Sequence, residues 1–156
     1  MTSLSEVLNQ EITAVHIRWW DSTWCNAEFA YELTDGKTFM MPDFYTNPLQ
    51  CQPFDTDGQF QRFTPTNCND DRNILRLIGV SIVDILVPLD RELRNPESFC
   101  AALSSGDFLF EETSQPHGTA PPMLYVTDDM PAQDEANGLI SVFELAGQLP
   151  PNQKNA

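Results

Sequence analysis

Basic residues are scarce in this chain of 156 residues. Eight lysines and arginines stand against 23 aspartates and glutamates, a formal net charge of −15. Gripping phosphates requires a basic patch, and an anionic membrane repels an acidic surface, so direct contact with nucleic acid or membrane is not expected. The scarcity is uneven. No Lys or Arg lies between Arg94 and Lys154, a stretch whose acids include Asp128, Asp129, Asp134 and Glu135. Histidine is limited to His16 and His117. The cysteines, Cys25, Cys51, Cys68 and Cys100, form no C-x-x-C, and neither histidine stands at finger spacing, so the common structural zinc patterns are excluded. Also missing are G-x-S-x-G, a phosphate-cradling glycine loop and H-E-x-x-H. No apolar run approaches the roughly 18 residues that a membrane-spanning helix needs. The opening, MTSLSEVLNQEITAV, has neither a basic n-region nor an apolar h-region, so no leader is expected. These absences predict a cytoplasmic protein with reduced, buried thiols, no metal and no cofactor.

What is present is enough for a folded core: 41% of residues are apolar and 10% aromatic. Most apolar runs are short and alternate. Shifting the sequence by 70 positions places Ile12 on Ile82, Val15 on Ile85, Ile17 on Val87, Phe29 on Phe99, Leu33 on Leu103 and Gly36 on Gly106. Each unit reads as a short helix, a strand and a hairpin. SLSEVLN starts with serine at a cap position, and DDRNILRLIG starts with aspartate and ends on Gly79. Strands are predicted at 11–19 and 80–88. The alternation of Ala27, Phe29, Tyr31 and Leu33 with Glu28, Ala30, Glu32 and Thr34 predicts a strand with one polar face. Asp35-Gly36 predicts a two-residue type I′ turn, and Ser105-Gly106 takes the same place in the second unit. MLYV at 123–126 and LISVFEL at 139–145 are strand-like.

The predicted fold is therefore mainly β (α+β). Two similar strand-plus-hairpin units, about 5–45 and 75–115 at an offset of 70, form a sandwich or partly open barrel with two or three short helices. Residues 1–150 are expected to be one domain. A long connecting loop over 43–70 carries one strand near 59–63, and 150–156 form a flexible tail.

The polar clusters favour structural roles. Asp55-Thr56-Asp57-Gly58 has the look of a calcium-loop start, but no acid follows in QFQRF, so a polar turn is expected. In Asn67-Cys68-Asn69-Asp70-Asp71, Asp70 or Asp71 is suited to cap the helix that follows. His16, in the phase opposite Val15 and Ile17, is expected to be a satisfied, partly buried histidine. His117 lies in the turn-rich SQPHGTAPP.

The three tryptophans fall within IRWWDSTW. Val15, Ile17 and Trp19 share one strand face, the expected core face; Ala14, His16, Arg18 and Trp20 share the other. Trp20 and Trp24 have Asp90 and Arg94 at the equivalent places of the second unit, so the shared scaffold does not require tryptophan there. Either they cap an open end of the sandwich under a loop, or they anchor a partner. Trp20, Asp21 and Trp24, with Glu28 and Glu32 on the polar hairpin face and the acids Asp128, Asp129, Asp134 and Glu135, are the candidate partner-binding residues.

In size, acidity and the strand-and-hairpin pattern I-x-x-V…ELTDGKTF, the chain resembles the small immunity proteins of bacterial toxin systems, over about 5–42 and 75–112. The resemblance implies a protein that neutralises a cognate basic toxin, often a nuclease, by covering its active site without turnover. It carries over no individual site residue. Two other readings stay open. One is a DNA-mimic inhibitor of a defence nuclease, of the anti-restriction or anti-CRISPR kind. The other is a small enzyme whose dispersed site uses His16 or His117 as base.

Overall fold

The structure is a computed structural model, and it describes residues 2–20, 26–55, 59–95, 97–113, 122–129 and 138–147. It is mainly β, with two antiparallel sheets, short helices and no closed barrel among the described residues. The elements run α1 (Leu4–Val7), β1 (Ile12–Trp19), β2 (Ala27–Leu33), β3 (Thr38–Phe39), β4 (Gln61–Phe63), α2 (Arg72–Leu77), β5 (Ile82–Pro88), a 3₁₀ turn (Arg91–Leu93), β6 (Cys100–Leu103), β7 (Phe108–Glu111), β8 (Leu124–Thr127), β9 (Leu139–Ser141) and α3 (Val142–Leu145). The first sheet has the order β3-β2-β1-β4 and the second β8-β7-β6-β5-β9. Each predicted three-stranded unit thus gains an edge strand beside its first strand, β4 or β9, and the second gains β8 as well.

The 70-residue offset is kept in the pairing itself. Ile12 faces Leu33 and Ile82 faces Leu103; Val15 faces Tyr31 and Ile85 faces Ala101; Tyr31 faces Phe39 and Ala101 faces Leu109. Both first strands carry an irregularity at the same place, between Ile12 and Ala14 and between Ile82 and Asp84. It brings Ile12 into phase with Val15 and Ile17, which strict alternation would forbid, and likewise Ile82 with Ile85 and Val87. All six are buried.

The units meet through the starts of β1 and β5. Glu11 and Ser81 form an antiparallel bridge. On either side Asn9 N–H donates to the Ile82 carbonyl at 2.9 Å and Gly79 N–H donates to the Ile12 carbonyl at 2.8 Å. Asn9 and Gly79 are equivalent under the shift, and both have positive φ, 65° and 91°. They end α1 and α2 in the left-handed conformation that frees their N–H groups to cross to the other unit. The core between the sheets is one cluster. Phe29, Tyr31, Leu33 and Phe39 come from the first sheet, and Ile85, Val87, Leu103 and Leu109 from the second; the helices add Leu4, Val7, Ile74, Leu77, Val142 and Phe143.

Local chemistry explains the other elements and two departures. The Asp71 carboxylate accepts the N–H groups of Asn73 and Ile74 at 2.9 and 3.1 Å, capping α2 as the sequence predicts. The hairpin turns are not type I′. Only Gly36 and Gly106 have positive φ, 86° and 92°, while Asp35 does not. Gly36 N–H donates to the Leu33 carbonyl and Leu33 N–H to the Lys37 carbonyl, and Gly106 and Leu103 repeat this with Asp107. These are three-residue loops, a turn closed by a left-handed glycine, whose extra residue the dipeptide signal does not reveal. LISVFEL is a strand only to Ser141. There the Ser141 hydroxyl accepts the Phe143 N–H at 3.3 Å, starting α3, and Val142 and Phe143 pack into the core. No helix of the described residues is long and apolar enough to cross a membrane.

Candidate functional site

The outer face of the first sheet carries the residues of the polar strand phase, and it is an internally paired surface. Arg18 on β1 lies directly opposite Glu28 on β2, and its Nη2 donates to Glu28 Oε1 at 2.8 Å. Its Nη1 is 3.7 Å from Asp55 Oδ2. The same guanidinium lies between two rings, 4.2 Å from the Trp20 centroid and 4.5 Å from that of Phe60. Four residues farther along β2, Glu32 receives a bidentate pair of bonds from Arg62 of β4, Nε to Oε1 at 3.0 Å and Nη2 to Oε2 at 2.9 Å. His16 Nε2 lies 3.0 Å from Glu32 Oε1, with Phe54 edge-on to the imidazole. The Arg62 hydrogen bonds, helped by His16, pull the Glu32 carboxyl down to about 2. His16 is thus the satisfied, part-buried histidine the sequence predicts, and it lines none of the described cavities.

Among the candidate partner-binding residues, Trp20 is 57% exposed, with its ring stacked on Arg18. Trp19 is part-buried against the core, edge-on to Phe63. Glu28 and Glu32 share the Trp20 sheet, but each is neutralised by an arginine. Asp128 and Asp129 are exposed after β8, the outermost strand of the second sheet, and share no described cavity with Trp20. Asp21, Trp24, Asp134 and Glu135 lie outside the described residues, as does His117.

The structure adds a site that the sequence reading does not single out. Trp20 N–H bonds to the Asn26 carbonyl at 2.9 Å, and Ala27 N–H bonds to the Thr113 carbonyl at 2.8 Å, tying the start of β2 to the end of β7. A cleft of about 340 Å³ opens at this junction. Trp20, Phe29, Met40 and Met41 supply apolar walls, Gln52 and Thr113 polar ones, and the Glu111 carboxyl lines it from within. Glu111 is only 6% exposed. Its Oε2 accepts the hydroxyl of fully buried Tyr31 at 2.5 Å, and its Oε1 has no hydrogen bond among the described residues. Burial pushes the Glu111 carboxyl up to about 8, although the Tyr31 hydroxyl opposes that rise. At neutral pH it is largely uncharged. Burial, with Glu111 beside it, also holds the Tyr31 hydroxyl well above its usual range.

Glu111 has a signal in the sequence: in FLFE it falls in the apolar phase with Leu109, where an acid is out of place. Under the 70-residue shift its equivalent is Met41 and that of Tyr31 is Ala101, so the pair belongs to one side of the pseudo-symmetric fold only.

The remaining polar clusters are structural. Asp71 caps α2, and Cys51, Cys68 and Cys100 are buried thiols without disulfides. Burial pushes Cys51 and Cys100 each to about 12, far from a nucleophile's range. No group of three or more His, Cys, Asp or Glu among the described residues is placed to hold a metal ion. No protein-family model matches the chain, and it matches no curated protein and no solved structure.

Proposed function

We propose that the protein binds a basic partner protein in the cytoplasm and neutralises it by occlusion, without turnover, as an immunity protein neutralises a bacterial toxin. The observation that carries this reading is the excess of acids over cations, most of which are already engaged within the fold. Arg18, Arg62 and Arg76 are held in ion pairs. Arg91 donates to the Tyr45 carbonyl, and Arg94 to those of Pro88 and Leu89. Eight cations against 23 acids leave a formal net charge of −15 whatever their hydrogen bonds, and that net field attracts and steers a cationic surface. Trp20 supplies an exposed aromatic anchor at the rim of a cleft with mixed apolar and polar walls, the kind of group that dominates interface energies. The DNA-mimic reading draws no support from the sheet face, where Glu28 and Glu32 are already paired with arginines.

The test is retention of proteins from cells that make this chain, on immobilised wild type and Trp20→Ala, at low and high salt. One basic protein held stoichiometrically at low salt, released by high salt and weakened at least tenfold by Trp20→Ala, supports the reading. If nothing basic is retained at either salt, the reading fails. A retained protein that duplex DNA displaces would transfer the case to mimicry.

A further inference from the structure

We propose that the cleft between the start of β2 and the end of β7 is a cation pocket that takes a lysine or arginine side chain of the partner, with Glu111 receiving the charged head group. The inference rests on the binding reading above and deepens it. The cleft is built for an apolar stem with a polar end. Trp20, Phe29, Met40 and Met41 line its walls, and these rings and thioethers suit methylenes and cations alike. Within lies a carboxyl more than nine-tenths buried, with one oxygen held by Tyr31 and the other without a hydrogen bond among the described residues. A volume of about 340 Å³ exceeds what one side chain fills, leaving room for water around the head group.

The neutral state of Glu111 gives the pocket a signature. Alone, the carboxyl keeps its proton because burial disfavours the charge. An ammonium or guanidinium at Oε1 stabilises the carboxylate, so binding releases that proton to solvent, and affinity climbs with pH until Glu111 ionises unaided. Among the described residues, few other titratable groups lie near this carboxyl. They are Tyr31 and Glu28 on β2, with Arg18 holding Glu28, and, lining a second cleft that also reaches Glu111, Glu97, Glu112 and Tyr125. Glu28 already has its cation.

N-acetyl-lysine amide and N-acetyl-arginine amide are titrated into the full chain from pH 6 to 9, with uncharged N-acetyl-norleucine amide as the control. The Met40 and Met41 methyl and Trp20 indole resonances are followed. Both cationic probes are expected to move these resonances, with affinity rising about tenfold per pH unit below pH 8 and levelling above it. Glu111→Gln should reduce affinity at least tenfold and abolish the pH slope. Gln52→Trp, which blocks the cleft without touching the carboxyl, should reduce it as much. Equal binding of the norleucine probe, an affinity that falls with pH, or wild-type affinity in Glu111→Gln each overturns the proposal. Should a basic protein be retained equally by wild type and Glu111→Gln, the cleft assignment fails and the binding reading survives. Cationic probes in the cleft with no basic protein retained would overturn the protein as source and leave a pocket for a free organic amine.

Discussion

Tyr31 and Glu111 stand 80 positions apart in the chain and meet inside the core, the phenol hydroxyl donating to Oε2 at 2.5 Å. One comes from the middle strands of the first sheet and the other from β7 of the second, so the bond crosses between sheets. It is a polar contact on faces otherwise filled by Phe29, Leu33, Leu103 and Leu109. A buried polar pair of this kind holds its place only while each partner satisfies the other.

Stability is expected to fall with pH because of Glu111. Its carboxyl moves from an ordinary 4.5 to about 8 on folding. Below 4.5 both folded and unfolded chains hold the proton and nothing is lost. Between 4.5 and about 8 the unfolded chain gives it up while the folded chain keeps it, so folding becomes less favourable as pH rises. Above that the loss is complete. Denaturant unfolding at pH 5 and pH 8 should differ by a few kcal/mol in the wild type, on the order of 1.4 kcal/mol for each pH unit crossed in that window. Glu111→Gln, which mimics the neutral acid, should flatten most of that difference.

Glu32 works in the opposite direction. Its carboxyl is pulled down to about 2, so its contribution is present above 4.5 and disappears as pH falls through about 2. Arg62 is about half exposed, and solvent screening keeps the pair modest. Arg62→Met should cost less than about 1 kcal/mol at pH 7. It should also move the acid-unfolding midpoint, followed by circular dichroism, to higher pH.

The two hairpins give a paired test of the turn geometry. Gly36→Ala and Gly106→Ala each force a side chain into positive φ at 86° and 92° with open space around it, so the cost is backbone strain alone. Each should lose about 1–2 kcal/mol in denaturant unfolding. Similar losses at both sites would confirm equivalent turns, whereas Asp35→Ala should cost less, since Asp35 has no positive φ to maintain.

Thiol reactivity should separate folded from unfolded chain. Cys51 and Cys100 are buried and pushed to about 12, so in the folded protein at pH 8 both should resist a disulfide reagent. In denaturant they should react within minutes. Rapid labelling of Cys51 or Cys100 in the folded state would contradict their placement.

The repeat, the capping Asp71, the strand faces and the edge strand at 61–63 are legible in the sequence because they depend on local spacing: a period of two, an acid before an apolar helix, a constant offset. The face of Trp20 is legible for the same reason. Its surroundings are not. That Glu28 and Glu32 are neutralised depends on Arg18 lying directly opposite Glu28 and on Arg62 arriving from a strand 30 residues beyond Glu32. Nor does local spacing show the cleft. Trp20, Met40, Gln52 and Glu111 converge only through tertiary pairing, though the out-of-phase acid in FLFE marks one wall of it. The turn type and the helix at 142–145 escape a reading by pattern because an added loop residue and a serine cap leave the apolar pattern almost unchanged.

The reciprocal bonds of Asn9 to Ile82 and Gly79 to Ile12 also set the order of events at birth. A chain emerging from the ribosome presents the first unit some 70 residues before the carbonyl that Asn9 needs has been made. Tyr31 waits longer still for the Glu111 carboxyl, and until the second unit follows the inner face of β2 has no opposite sheet. The nascent first unit is therefore expected to stay an open, apolar half, with cooperative closure when the second half clears the tunnel.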